Sequence, residues 1–349
     1  MTTPSTRPVP QAGSPELVAH WGALSALPAE CERLGLRRIL VVAGGACGPV
    51  AARTLDLLGR RGLGTFSDVR AHVPAYEVNL AVASAQEVHA DAVVSIGGGS
   101  ATGFGKIIAL ALRIPLIAVP TTYSGAEMTS RYLVTTDKGK ESGSSPRVLP
   151  RMVVQDPALT TALPTRVTAS SGVTAIASCL NALRRPDVDP QVADWARTGL
   201  ALLWNSLPEL LRHPDDRTLR EQALRGAALA GRTLERTGPG LAQLVAEDLG
   251  AGLGADHGAL LGCLTAQLLA GAGPEVEPAR AALRELDGSA ESAEALFRRF
   301  TTELGMPERL TVICGLEEPQ RWARRAVALR PDISLHAGIR ELTHLLESA

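Results

Sequence analysis

Short apolar runs alternate with amphipathic stretches over the first 120 residues. Three runs, residues 38–43 (RILVVA), 91–96 (DAVVSI) and 115–119 (PLIAV), end at glycine or proline. Their length and branched side chains are typical of buried parallel strands, and a weaker strand is predicted near 64–66. The gaps carry helical spacing over 46–60, 75–89 and 102–112. Strand and helix alternating at this pitch predict an α/β domain with a doubly wound, mostly parallel sheet.

The pattern changes after about residue 160, where strand-like runs disappear. Pro- or Gly-rich breaks separate the helices predicted over 167–184, 191–211, 217–235, 240–250, 257–271, 276–286, 290–304, 318–328 and 336–348. We therefore predict a dinucleotide-binding α/β domain over 15–160 and an all-α domain over 161–349. The polar, proline-rich residues 1–14 are predicted to be a flexible leader. Ligands of such chains lie between the two halves, at the carboxyl ends of the strands.

Composition narrows the classes of function. The 349 residues include 35 basic and 36 acidic side chains, so no long-range field favours nucleic acid or a membrane surface. No apolar run reaches the ~18 residues that a membrane span needs. The five cysteines include no CxxC pair, which argues against a disulfide scaffold or a zinc knuckle. A cytoplasmic location is expected.

The segment best suited to chemistry is SIGGGSATGFGK, residues 95–106, between a predicted strand and a predicted helix. Its glycines allow backbone to approach a ligand closely, and the helix start presents free N–H groups to a diphosphate. Ser100 or Thr102 could cap the helix and bond a phosphate oxygen. Lys106 could reach a ribose hydroxyl or a phosphate. The alternative is a tight strand–helix turn whose glycines serve packing alone.

Two further segments are rich in hydroxyl groups. Residues 120–129 (PTTYSGAEMT) follow a strand, so Thr121 and Thr122 can face one crevice, although an ordinary capped loop has the same composition. Thr174 and Ser178 are four apart and share a helix face. In isolation that spacing equally indicates a plain helix with small residues for close packing.

A third segment carries side chains suited to acid–base chemistry. Gln243 and Glu247 are again four apart, and His257 follows a glycine-rich turn. A lone histidine is more often structural or superficial than a ligand, so the pattern alone leaves its role open.

Taken together and in this order, these segments resemble the iron-containing (group III) alcohol dehydrogenase family, and within it the maleylacetate reductases. The matching motifs are GGGSATGFGK (97–106), PTTYSGAEMT (120–129), RVLP (147–150), DPALT (156–160), SGVTAIAS (171–178) and LGMP (304–307). The resemblance implies NAD or NADP as cofactor, a small-molecule substrate and a homodimer. It places these residues around the dinucleotide: Gly97, Gly98, Gly99 and Ser100 at the diphosphate, and Lys106, Thr121 and Thr122 along the cofactor site.

The chain departs from the family pattern at one cofactor position and at the metal site. Gly44 matches the family's acidic residue after the first strand, so NADP is not repelled and either cofactor is possible. The family's four metal ligands fall at Thr174, Ser178, Gln243 and His257. One imidazole, two hydroxyls and an amide bring no negative charge to a divalent ion. We therefore expect no tightly bound metal.

The leading hypothesis is a metal-independent NAD(P)-dependent oxidoreductase acting on a small carbonyl or enone substrate. His257 would donate the proton, with Tyr123 or Thr174 assisting. Glu247 matches a family histidine thought to relay protons, and together with Asp248 it would hold His257 charged.

Two other functions remain open at this stage. The same cleft could catalyse a non-redox cyclisation, elimination or condensation, or the chain could be a non-catalytic nucleotide-binding protein. If the substrate resembles maleylacetate, its carboxylates need cationic partners, for which Arg131, Arg166 and Arg232 are the candidates.

Overall fold

The structure is a computed structural model that describes residues 14–271, 273–314, 319–329 and 339–348. The predicted leader therefore lies outside the described residues, apart from Ser14.

A parallel sheet forms the centre of the first half. The strands are β1 (Glu16–Ala19), β2 (Ile39–Ala43), β3 (Gly62–Phe66), β4 (Ala92–Gly97), β5 (Leu116–Pro120), β6 (Arg131–Thr136), β7 (Gly139–Ser144) and β8 (Met152–Gln155). Six of them pair in parallel in the order β1-β8-β5-β4-β2-β3, while β6 and β7 form a separate antiparallel hairpin. The four predicted strands are confirmed as β2 to β5. The sequence analysis missed β1, β8 and the hairpin, because four-residue strands and a largely polar hairpin leave little periodic signal.

Helices cover both faces of this sheet. They are α1 (Leu27–Arg33), α2 (Gly48–Leu58), α3 (Ala75–Glu87) and α4 (Gly99–Leu112). Alternate residues of β2 face opposite sides, so Ile39 and Val41 pack toward α1 and α2, while Leu40 and Val42 pack toward α3 and α4. The chain order reverses between β2 and β4, which makes the carboxyl ends of these two strands the switch point of a doubly wound sheet.

The second half consists of helices in the part that the structure describes. They are α5 (Thr165–Leu183), α6 (Pro190–Arg212), α7 (Arg217–Thr237), α8 (Leu241–Leu253), α9 (His257–Ala270), α10 (Glu277–Asp287), α11 (Ala293–Glu303), α12 (Leu310–Cys314), α13 (Pro319–Leu329) and α14 (Ile339–Ser348). The predicted fold class is confirmed. The short α12 was not predicted, and residue 318 and residues 336–338 of two predicted helices lie outside the described residues. None of the described helices is long and apolar enough to cross a membrane.

The loop after β5 joins the two halves by close backbone packing. A Cβ atom on Gly231 of α7 would lie 2.2 Å from the carbonyl oxygen of Gly125, and one on Gly125 would lie 2.5 Å from the carbonyl oxygen of Ala227. Only glycine permits this approach at both positions. The contact sets the distance between the sheet edge and the helical half, and hence the width of the cleft between them.

Candidate functional site

The glycine loop leads directly into α4 at the switch point. The helix begins at Gly99, with Gly98 at its N-cap and no side chain of the described residues capping it. The start lies three residues earlier than predicted, so the expectation that Ser100 or Thr102 caps the helix is wrong: both belong to its first turn. The N–H groups of that turn have no acceptor within the helix. A Cβ on the exposed Gly99 would be accommodated without a clash, since it would make only ordinary van der Waals contacts, at 3.9 Å from Cβ of Ala126 and from Oγ of Ser124.

Loops from three strands meet beside this helix start. Because β4 and β5 end side by side, Thr121 and Thr122 emerge next to the glycine loop. A Cβ on Gly98 would lie 2.9 Å from Cγ2 of Thr122, so these two segments touch. From the loop after β2, Sγ of Cys47 lies 3.7 Å from Oγ1 of Thr121. The structure therefore brings the predicted cofactor residues together, at the edge where doubly wound sheets bind nucleotides.

Lys106 is buried, and its ammonium group is bonded within the protein. Nζ donates to the carbonyl oxygens of Ala126 (2.8 Å) and Arg131 (2.7 Å) and to Oγ1 of Thr129 (2.9 Å). Burial lowers the pKa of Lys106 to about 7. Lys106 thus ties α4 to the segment that enters β6. A direct contact with a nucleotide, as predicted, would require it to exchange one of these three bonds.

Tyr123 points into the core shared with the helical half. Its hydroxyl donates to Oγ1 of Thr160 (3.1 Å) and accepts from Nη1 of Arg220 (2.9 Å). Burial raises the pKa of Tyr123. Because both hydrogen-bonding directions of the hydroxyl are used inside the protein, the geometry argues against its predicted catalytic role.

His257 opens α9, and two contacts fix the start of that helix. Asp256 caps it by accepting from the N–H of Ala259 (3.0 Å) and also accepts from the hydroxyl of Ser170 on α5. The next residue, Gly258, lies so close to α5 that a Cβ there would be 2.0 Å from the carbonyl oxygen of Ser170. The position of His257 is therefore set by the packing of α9 on α5.

The imidazole of His257 is partly buried, and its surroundings decide its charge. Burial lowers the pKa of His257 below its usual value, and Lys140 lowers it further. Glu247, a hydrogen bond with the backbone of Ala246 and the carboxylate of Asp256 raise it, but less than burial lowers it. Glu247 thus acts in the expected direction, toward the charged form, but desolvation has the larger effect, which argues against the expectation that Glu247 holds His257 charged.

Glu247 is buried on α8 and faces an arginine from the hairpin. Nη2 of Arg131 lies 3.6 Å from Oε2 of Glu247, which brings one of the three candidate arginines to the cleft. Nη2 of Arg166 lies 3.9 Å from a carboxylate oxygen of Asp256, and 80% of the Arg166 side chain is exposed to solvent. Arg232 lies on α7 with its Nε buried. Arg131 is therefore the best placed of the three for a substrate carboxylate.

The structure adds a residue that sequence reasoning missed, His72. It lies in the segment before α3, and a Cβ on Gly250 of α8 would be 3.3 Å from Cε1 of its ring. The pKa of His72 is lowered by burial, by Lys140 and by His257. Both His72 and Lys140 reach the cleft from irregular or hairpin segments. For Lys140, the signal in the sequence was Gly139 between two short polar runs, a pattern typical of a hairpin turn.

The residues at the family's metal positions do not form a donor set for a divalent cation. Oγ1 of Thr174 donates to the carbonyl of Ser170 (3.0 Å), and Oγ of the buried Ser178 donates to the carbonyl of Thr174 (3.2 Å). Gln243 on α8 is neutral, which leaves His257 as the one strong donor of the four. No three His, Cys, Asp or Glu side chains of the described residues form a group that could hold a metal. The residues at these positions therefore do not fit a catalytic divalent metal.

A doubly wound sheet with an open glycine loop at its switch point, closed by a helical half, is the architecture of a two-domain dehydrogenase. The sequence profile described as iron-containing alcohol dehydrogenase matches residues 14–157. Maleylacetate reductase 1 of Cupriavidus pinatubonensis is 35% identical over 284 residues, which cover 81% of this chain and 80% of that protein. The chain belongs to the iron-containing alcohol dehydrogenase family and is an NAD(P)-dependent oxidoreductase.

Solved structures agree with this assignment. The crystal structure of maleylacetate reductase from Agrobacterium tumefaciens superposes with a TM-score of 0.84 at 30% identity, covering 98% of each chain. Sulfoacetaldehyde reductase from Bifidobacterium kashiwanohense, solved in complex with NAD⁺, has a TM-score of 0.84 at 19% identity over 97% of this chain and 98% of that one. At that identity the second likeness shows the fold alone.

Proposed function

We propose that this protein reduces maleylacetate, or a closely similar small carbonyl acid, with NADH or NADPH and without a tightly bound metal. One observation carries the proposal: α4 starts at Gly99 without a side-chain cap among the described residues, at the carboxyl end of β4 at the switch point of the sheet. The maleylacetate reductases among its relatives support the substrate class. The departures at Thr174, Ser178 and Gln243 support the absence of a metal.

In this proposal the glycine loop holds the dinucleotide. The backbone N–H groups of residues 97–100 would bind the diphosphate, since a helix start favours negative charge, and Thr121 and Thr122 would line the adjoining wall. When bound, the nicotinamide supplies the hydride. Gly44 stands after β2 where a carboxylate would repel a 2′-phosphate, so the site accepts either dinucleotide.

The helical wall supplies the proton. As the electrophilic carbon of the substrate accepts a hydride, negative charge develops on the conjugated oxygen, and His257 donates a proton to it. The lowered pKa leaves His257 largely neutral at pH 7 in the empty cleft. A substrate carboxylate beside the ring would raise that pKa, because an opposite charge favours the protonated form. Substrate binding thereby favours the protonated form of His257, the proton donor. Arg131, oriented by Glu247, offers a further cationic contact.

We expect protein dialysed against a strong chelator to oxidise NADH or NADPH in the presence of maleylacetate, with kcat unchanged from that of untreated protein. The measurement is the loss of reduced nicotinamide absorbance, with metal content determined on the same sample. Activity lost on chelation and restored by Fe²⁺ or Zn²⁺ would refute metal independence. Absence of dinucleotide binding by calorimetry at millimolar concentration would refute the redox function itself.

A single charge at Gly99 tests the nucleotide site. We expect Gly99→Asp to weaken dinucleotide binding by at least about tenfold, ~1.4 kcal/mol. The added carboxylate would lie where the diphosphate is proposed to bind and would repel its negative charge. The same carboxylate should stabilise the start of α4 by about 0.3–1 kcal/mol. Calorimetry measures the first effect and thermal unfolding the second.

The matched control is Gly99→Asn, which has the same shape without the charge. It should weaken binding less than the aspartate does, and the difference between the two variants isolates electrostatic repulsion. Wild-type affinity in Gly99→Asp would show that the diphosphate binds elsewhere.

A further inference from the structure

The β6–β7 hairpin carries its charged side chains to the catalytic cleft. Lys140 on β7 is directly opposite Thr135 on β6. Thr135 in turn holds the segment before α3: its N–H donates to the carbonyl of Val73 (2.9 Å) and its hydroxyl to the carbonyl of His72 (2.6 Å). Because β7 also packs on α8, Lys140 lies between the His72 segment and the helix that contacts His257.

The segment that holds His72 is strained. His72 and Val73 have φ angles of +62° and +56°, a conformation that costs most for a β-branched residue such as Val73. Two contacts keep it in place: the bonds from Thr135, and a notch on α4 where a Cβ on Gly103 would lie 2.7 Å from Cγ2 of Val73. Backbone strain of this kind persists where the surrounding contacts hold the backbone in place, and it is concentrated at functional sites. Here the contacts fix the backbone position from which the imidazole of His72 extends.

The electrostatic couplings agree with this geometry. His72 lies against Gly250 and His257 is hydrogen-bonded to the backbone of Ala246, one turn away on α8. In agreement, Lys140 lowers the pKa of both rings, and His257 lowers the pKa of His72. Asp256, the cap of α9, acts on both rings in the opposite direction. Glu247 acts on His257 and is itself paired with Arg131. An anion entering this space would meet one ammonium group and two imidazoles.

We propose that Lys140 and His72 form a carboxylate subsite beside His257 that receives the anionic end of the substrate. The inference rests on the proposed function, whose substrate class it makes specific. The ammonium group supplies charge and the imidazole one N–H donor, so the two oxygens of a carboxylate can each accept a hydrogen bond. The hairpin and the His72 segment thus determine specificity for a carboxylate.

The test is Lys140→Met, assayed with maleylacetate at saturating NADH. We expect KM to rise about 10- to 100-fold, the effect of removing one charged hydrogen bond, with a smaller change in kcat and an unchanged Kd for NADH. Lys140→Arg keeps the charge and should recover most of the affinity. The matched control is Lys138→Met, an exposed lysine two residues away in the same hairpin turn, which should leave KM unchanged. His72→Gln, which keeps a donor, should raise KM less than Lys140→Met.

A second measurement separates this subsite from the reaction. Maleate, a dicarboxylate that lacks the ketone needed to activate its double bond toward hydride, should bind the NADH complex in calorimetry, and Lys140→Met should weaken that binding by the same factor. If maleylacetate is not reduced but maleate binding depends on Lys140, the subsite stands and the proposed function fails. If reduction proceeds and Lys140→Met alters neither KM nor maleate affinity, or lowers kcat alone, the subsite is refuted while the proposed function stands. Thermal unfolding confirms that each variant is folded.

Discussion

Replacing His257 with glutamine is expected to lower kcat/KM for the reduction by about 10²- to 10⁴-fold, the usual contribution of a positioned general acid. Glutamine retains a hydrogen-bond donor of similar reach but cannot transfer a proton. Binding of NADH should be unchanged, because the proposed dinucleotide site lies on the glycine loop of the other half. Steady-state kinetics and NADH titration of the variant measure the two quantities separately.

The pH profile gives this prediction a second readout. In the proposed mechanism the acid form of His257 is required, so kcat/KM of the wild type should fall as pH rises through the pKa of His257, which burial holds below its ordinary value. Among the neighbouring charged groups, Glu247 and Asp256 raise that pKa and Lys140 lowers it. His72 is the other imidazole beside it, and its own pKa is lowered by His257. In His257→Gln this fall should disappear. A variant with activity within a few-fold of wild type would remove His257 from the role, and persistence of the same fall would assign the titration to His72.

Replacing Gly258 with alanine should destabilise the protein by about 3 kcal/mol and displace the catalytic histidine. The added Cβ would lie 2.0 Å from the carbonyl oxygen of Ser170 and 2.5 Å from its hydroxyl, so backbone would have to move. On helix propensity alone the same substitution would stabilise by about 1 kcal/mol, and the clash therefore reverses the sign. Because His257 precedes Gly258, we also expect kcat to fall. Urea unfolding and steady-state kinetics measure the two effects.

Gly262→Ala is the matched control, one turn further along the same helix. A Cβ there would meet Cγ2 of Thr301 and Cγ1 of Val173 at 3.7 Å, an ordinary van der Waals distance. We expect this variant to be as stable as the wild type or up to about 1 kcal/mol more stable, with full activity. Equal destabilisation by the two substitutions would show that α9 does not pack on α5 as described.

The sequence by itself determined the order of elements and the position of the glycine loop. Strands β2, β4 and β5 are buried on both faces, so each appears in the sequence as a short, largely apolar run, and the amphipathic helices between them repeat every 3.6 residues. The glycine loop at residues 97–100, proposed to hold the diphosphate, is a continuous segment between a strand and a helix. Signals of this kind are local, so they can be read from the sequence without knowledge of the fold. The strands of four residues, β1 at the edge of the sheet and β8 next to it, are too short for such a signal.

The tertiary structure alone decided which side chains lie in the cleft and how their surroundings shift their pKa values. Lys106 and Tyr123 lie in the two motifs predicted to serve chemistry, yet their polar groups are bonded to residues far along the chain, such as Arg131 and Arg220. His72 and Lys140 enter the site from an irregular segment and a hairpin that have no periodic pattern. The protonation of His257 follows from burial by packed helices, which outweighs the neighbouring Glu247. Burial and long-range contact depend on how distant segments pack, and no local sequence pattern encodes them.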